Sequence, residues 1–180
     1  MCSFFRMVGW FFGIFLMSFV SVSKAEDRLL VVSFSKALLS FHEKNVLVAE
    51  FPVVVPLRAE EPPKLPVRGV IRKVEKNPQW YPTKRTQDYF LEKRKIVLPK
   101  VVKSGSPLNS LGTIKVVIQW SDPVKPTARI HGTNEPELLA LPPEKRHRSG
   151  GCVRLLNGDA EKLAGLIQSR PDSVHVLYVR

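Results

Sequence analysis

Cysteine is almost absent from this 180-residue chain, which has only Cys2 and Cys152. Once the first 25 residues are set aside, Cys152 stands alone. That excludes an internal disulfide framework and leaves a thiol that is either buried and inert or kept for its reactivity. Acidic residues are also scarce, 16 against 28 lysines and arginines, giving a formal net charge of +12. Such a field attracts anionic surfaces: nucleic acid, acidic lipid or an anionic wall polymer. Yet there is no arginine-rich arm, RNA-binding signature or zinc-finger spacing, which argues against nucleic acid. Internal repeats, low-complexity segments and any long apolar run beyond the N-terminus are missing too.

That single apolar run is informative. Arg6 precedes Met7–Val22, and Ser23-Lys24-Ala25 follows with small residues at the −3 and −1 positions. The pattern predicts a secretory signal peptide over residues 1–25, cleaved after Ala25. It is short for a bilayer span and no stop-transfer pattern follows, so contact with the membrane is expected only through this segment. Residues 26–180 then form one domain large enough for a real core. Losing Arg6 and Lys24, and no acid, lowers the formal charge from +12 to +10.

The domain reads as mostly β with one or two short helices. Leu29–Phe34, Ala37–Phe41 and Val46–Phe51 form an opening meander with a hairpin at Lys44-Asn45, continuing into Val53–Val55. Residues 60–66 are a proline-rich connector. A strand is expected around Gly69–Val74, followed by the fixed loop Asn77-Pro78-Gln79-Trp80-Tyr81-Pro82. Thr86–Lys95 is a short polar helix, Ile96–Val102 an irregular segment because of Pro99, and Ile114–Trp120 an alternating strand. Arg129-Ile130-His131 is a short strand delivering His131 to a turn, and 134–148 is a mainly polar loop. In Asp159–Gln168, Leu163, Leu166 and Ile167 share one helical face. Val174–Val179 closes the domain.

The chemistry concentrates in Ser149-Gly150-Gly151-Cys152-Val153-Arg154 and His131-Gly132-Thr133. Cysteine catalysis needs a thiolate, a base or balancing imidazolium, and donors for an oxyanion. Cys152 is the candidate nucleophile and His131 the candidate base or imidazolium partner. Gly150 and Gly151 permit a sharp turn, so that amides from Gly151 to Val153 could converge on an oxyanion. Arg154 would bring a permanent positive charge that attracts an acidic substrate group.

Here the sequence resembles the bacterial L,D-transpeptidase catalytic domain. That family's signature is a histidine, a variable spacer, then Ser/Thr-x-Gly-Cys, an apolar residue and usually Arg. Seventeen residues separate His131 from Ser149 in this chain. The Leu29–Val55 opening, the Asn77-Pro78-x-Trp80-x-Pro82 loop, Pro107–Gly112 and the segment from Asp159 are similar to the periplasmic cell-wall branch. The resemblance implies an L,D-transpeptidase-type, sandwich- or barrel-like β fold in the periplasm. It also implies a two-step acyl transfer. The cysteine attacks a peptidoglycan stem tetrapeptide at diaminopimelate, D-alanine leaves, and an amine captures the acyl group. The acceptor is a second diaminopimelate, giving a 3→3 cross-link, or the lysine of a wall-anchored lipoprotein.

By position, Cys152 matches the nucleophile, His131 the base, and Gly132 a carbonyl that orients the imidazole. Ser149, Gly151, Val153 and Arg154 would shape the acyl site. Neither a metal nor an organic cofactor is implied, and a carbapenem is expected to acylate Cys152. Many members have a histidine where this chain has Gly150. Trp80, Tyr81 and Trp120 could line a groove, or else pack in the core and brace the proline loop. Asn134 and Glu135 could contact substrate, and His147 could lie near the groove or be a solvated loop residue. Two rival readings share the residues: an L,D-carboxypeptidase or cross-link hydrolase passing the acyl group to water, and a catalytically silent wall-binding module.

Overall fold

The computed structural model of the protein describes residues 27–57, 65–121 and 129–180. The expected signal peptide and most of the proline-rich connector lie outside the described residues. Ten strands and two α-helices are described. They are β1 (Arg28–Ser33), β2 (Leu38–Glu43), β3 (Val46–Pro52), β4 (Val55–Pro56), β5 (Val67–Lys76), α1 (Lys84–Arg94), β6 (Ile114–Trp120), β7 (Ile130–His131), β8 (His147–Ser149), β9 (Val153–Arg154), α2 (Asn157–Ile167) and β10 (His175–Val179).

Eight strands form one sheet in the order β3-β2-β1-β10-β5-β6-β7-β9, while β4 and β8 pair separately. The hairpin between β2 and β3 falls where the turn residues place it. Lys44 and Asn45 both have positive φ, 49° and 65°, the turn whose twist suits an antiparallel pair. The last strand does not close an edge. β10 inserts between β1, to which it is parallel, and β5, to which it is antiparallel. Its alternation carries the core: Leu39, Val32, Tyr178 and Val67 are in register across four strands, all buried. Each such aliphatic side chain contributes about 1.5–3 kcal/mol through burial. On α2, Ala160, Leu163, Ala164 and Ile167 are buried and pack into the same core.

Three boundaries differ from the sequence reading. α1 begins at Lys84, two residues early, because the Thr83 hydroxyl accepts the Thr86 amide and caps it. α2 begins at Asn157 rather than Asp159. The polar stretch 134–148 holds two 3₁₀ turns, Pro136–Ala140 and Pro143–Lys145, and leads into β8.

The sheet curls until its two ends meet. Beyond β3, Val54 exchanges both backbone hydrogen bonds with Arg154 of β9, each at 2.9 Å. Val55 and Leu57 then donate to the carbonyls of Arg146 and Ser149. A second, smaller cluster of Phe90, Leu98 and Val102, with Trp80, Ile96 and Leu108 against it, fixes α1 to the loops around it. Buried Asn109 ties two of those loops together. It donates to the Pro78 carbonyl at 2.8 Å and accepts the Leu111 amide at 3.0 Å.

Candidate active site

His131 and Cys152 arrive on neighbouring strands. β7 and β9 run parallel, with Ile130 opposite Val153 and His131 opposite Arg154. The Val153 amide donates to the Arg129 carbonyl at 2.8 Å and the Leu155 amide to the His131 carbonyl at 2.9 Å. Ile130 and Val153 face the core. The strand period of two therefore puts His131 and Arg154 on the other side together, and Cys152 is the residue just before β9. Cys152 is only half-buried, and His131 is 4% exposed.

The imidazole is fixed by its own turn. His131 Nδ1–H donates to the Gly132 carbonyl at 2.6 Å, an acceptor-only group, so in the neutral ring Nε2 is the lone-pair nitrogen. Burial pulls its pKa down to about 3, helped by the charges of Arg154, Arg129 and Lys115 and opposed by the Gly132 hydrogen bond. His131 is therefore a neutral base at ordinary pH rather than a resting imidazolium. The turn itself is held by Asn157, whose Oδ1 accepts the Thr133 amide at 3.0 Å and the Thr113 amide at 3.3 Å. There is no room for more: a Cβ on Gly132 would lie 2.2 Å from that oxygen, and one on Gly112 2.1 Å. Asn157 was missed in the sequence because it was placed before the helix rather than at its first turn.

The turn at Cys152, the candidate nucleophile, is equally specific. The fully buried Ser149 hydroxyl donates to the Cys152 carbonyl and accepts the Gly151 amide at 3.3 Å. Gly151 has φ 135°, a conformation side-chain-bearing residues rarely adopt. Gly150 is different: a Cβ there meets nothing within 4 Å. One expectation needs correcting. The Val153 amide is taken by the β7–β9 ladder and cannot serve an oxyanion. Among the described residues the Cys152 amide has no partner, and the Gly151 amide holds only its long bond to Ser149.

The other candidates are distributed unevenly. Trp80 braces rather than lines: it pairs with Val102 and packs edge-on against Phe90 at 6.0 Å. Trp120 packs edge-on against Tyr178 at 4.7 Å. Tyr81 is 64% exposed and bonds Gln79. Asn134 donates to the Pro107 carbonyl at 2.9 Å, joining the loop after His131 to the Pro107–Gly112 loop. His147 lies in β8 and lines a groove of about 380 Å³ with Phe34, Leu57 and Arg180.

The expected positive charge of Arg154 is present, but with partners the sequence did not reveal. His131 sits between two cations in register, Lys115 on β6 and Arg154 on β9. Each has an acidic partner, Glu75 for Lys115 and Glu135 for Arg154. Tyr178, fully buried, carries a hydroxyl with no partner among the described residues, which costs about 1–3 kcal/mol. Its pKa stands well above the ordinary value, raised by burial and then by the charge of Cys152.

Residues 27–176 match the L,D-transpeptidase catalytic domain (YkuD) family. The chain belongs to that family. Solved structures agree on the fold. The avibactam carbamoyl enzyme of Ldtfm matches with TM-score 0.59 at 14% identity, over 86% of this chain and 49% of that one. An Enterococcus faecium L,D-transpeptidase mutant gives 0.55 at 14%, over 85% and 50%. L,D-transpeptidase 3 from Mycobacterium tuberculosis, in complex with a faropenem-derived adduct, gives 0.52 at 12%, over 86% and 60%. The chain thus spans about half to three-fifths of the length of these proteins. No match to a curated protein sequence reaches significance.

Proposed function

We propose that this domain is a periplasmic peptidoglycan L,D-transpeptidase that works through Cys152 and His131. The observation that carries the reading is the pairing of a half-exposed thiol with a buried neutral imidazole. The imidazole's Nδ1–H is committed to the Gly132 carbonyl, and the β7–β9 ladder runs the segment beginning at Cys152 alongside the strand that ends at His131. Family membership supplies the substrate class, peptidoglycan stem peptides.

In this reading His131 Nε2 takes the Sγ proton as the sulfur bonds to the diaminopimelate carbonyl carbon. The Cys152 amide faces the developing oxyanion. Collapse breaks the C–N bond to D-alanine, and the leaving amine takes the proton from Nε2. An amine, from a second diaminopimelate or a protein lysine, then attacks the thioester carbonyl and gives its proton to His131 Nε2; the C–S bond breaks and that proton returns to Sγ.

The test is to incubate the purified protein with disaccharide-tetrapeptides and follow the products by mass spectrometry. D-Alanine release together with 3→3 dimers is expected, and neither with Cys152→Ala. Tripeptide alone would assign the carboxypeptidase reaction instead. A protein that binds sacculi yet forms no adduct with imipenem or faropenem would be a silent wall-binding module.

A further inference from the structure

We propose that Glu135 is a positioning residue that fixes and neutralises Arg154 beside the His131–Cys152 pair, anchored from its other side by Arg94 of α1. The proposal rests on the transpeptidase reading of that pair and adds to it the group that sets its charge.

The geometry is closed on every side. Glu135 Oε2 accepts Arg154 Nη1–H at 2.7 Å and Oε1 accepts Arg94 Nη2–H, so one carboxylate bridges two guanidinium groups. Its side chain is only 18% exposed. Its backbone amide donates to Thr133 Oγ1 at 3.0 Å, and the Thr133 amide is held by Asn157. Glu135 is therefore set by the same turn that sets His131. Arg94 lies over the Phe90 ring at 4.6 Å and near Tyr89, so it is packed in place rather than swinging in solvent. Burial alone would raise the Glu135 carboxyl; the Arg94 hydrogen bond and the charges of Arg154 and Arg94 outweigh it and hold it below the usual carboxylate range. It stays ionised wherever the enzyme works.

The consequence follows from where Arg154 stands. It is opposite His131 in the ladder and two residues beyond Cys152. An uncompensated guanidinium there favours the thiolate and disfavours a protonated imidazole. Those are opposite demands on the two halves of one proton transfer. A bound carboxylate moderates both, and fixes the guanidinium's direction by a hydrogen bond to a charged partner. The charged groups acting on His131 are Arg154 with Glu135, Arg129 before β7, and Lys115 with Glu75 across β6 and β5; Tyr178 on β10 senses the charge of Cys152.

Two rates are to be measured against pH: alkylation of Cys152 by iodoacetamide, which needs no cell-wall substrate, and acylation by imipenem. Glu135→Gln is expected to move the alkylation profile to lower pH by about half a unit or more. It should also slow acylation about tenfold or more, with Glu135→Asp recovering part of the loss. Arg154→Gln should move the alkylation profile the other way. In the Arg154→Gln background, adding Glu135→Gln should change neither rate further, because Glu135 acts through Arg154. This double variant leaves only Arg94, whose side chain is 37% exposed, without its carboxylate, so it serves even if Glu135→Gln alone folds poorly. Superposition of the Glu135→Gln and wild-type alkylation profiles, or additive effects in the double variant, would overturn the proposal. Loss of transpeptidation on muropeptides with the alkylation shifts intact would overturn the enzymatic reading and leave this one standing.

Discussion

Arg154 of β9 lies directly opposite His131 of β7 in a parallel register, and that pairing runs the segment after Cys152 alongside the strand that carries His131. The ladder also consumes the Val153 amide, which donates to the Arg129 carbonyl. The geometry leads to specific expectations.

Replacing His131 with Gln should slow acylation of Cys152 by a carbapenem about 10²–10⁴-fold, the usual worth of a positioned general base. His147→Ala should remain within about threefold of wild type, since His147 belongs to the β8 groove. Time courses by intact-mass spectrometry separate the two. Equal losses would mean that the base has been misassigned.

The low pKa of His131 makes a thermodynamic prediction. Unfolded, the ring titrates near 6.5; folded, it titrates near 3. Between those values the unfolded chain binds the extra proton. Stability is therefore full above pH 6.5 and falls as pH drops toward 3, by up to about 1.4 kcal/mol per pH unit. Urea unfolding at pH 7, 6, 5 and 4 should show this slope, and His131→Gln should flatten it. The acid limb of acylation should likewise lack a step near pH 6.5.

Asn157→Ala should cost about 1–3 kcal/mol by leaving the Thr113 and Thr133 amides without their acceptor. It should also slow acylation, because the His131–Gly132–Thr133 turn loosens. Asn157→Asp retains the acceptor oxygen and should recover most of the rate. Thermal melts run beside acylation kinetics give both numbers.

The two glycines before the nucleophile should behave oppositely. Gly150→His, which restores a common family residue, has open space and should leave stability within about 0.5 kcal/mol. Gly151→Ala must hold a side chain at φ 135° and should destabilise by about 1–3 kcal/mol. Denaturant midpoints decide it.

Much of the architecture was written in local patterns. Alternation in Ile114–Trp120, the Lys44-Asn45 turn and the helical spacing of Leu163 and Ile167 all reappear as drawn. The hydrogen bond between His131 and the Gly132 carbonyl is there too, though the family resemblance and not local pattern implies it. What stayed hidden was long-range. Nothing local announces that β10 enters the middle of the sheet. Nor does local sequence show that Glu135 meets an arginine 41 residues earlier on α1, or that one oxygen of Asn157 serves two separate turns. Trp80 shows the same limit from another side. An aromatic between prolines suits a groove or a brace equally, and only Phe90 and Val102 decide for the brace.

The bond pair between Val54 and Arg154 spans a hundred positions of chain, and β1 pairs with β10 over a still longer loop. A chain cut short before β10 therefore lacks the strand that joins β1 to β5, and the two ends of the sheet cannot be brought together around residues 131 and 152. Such a truncated copy is expected to take up no acyl group.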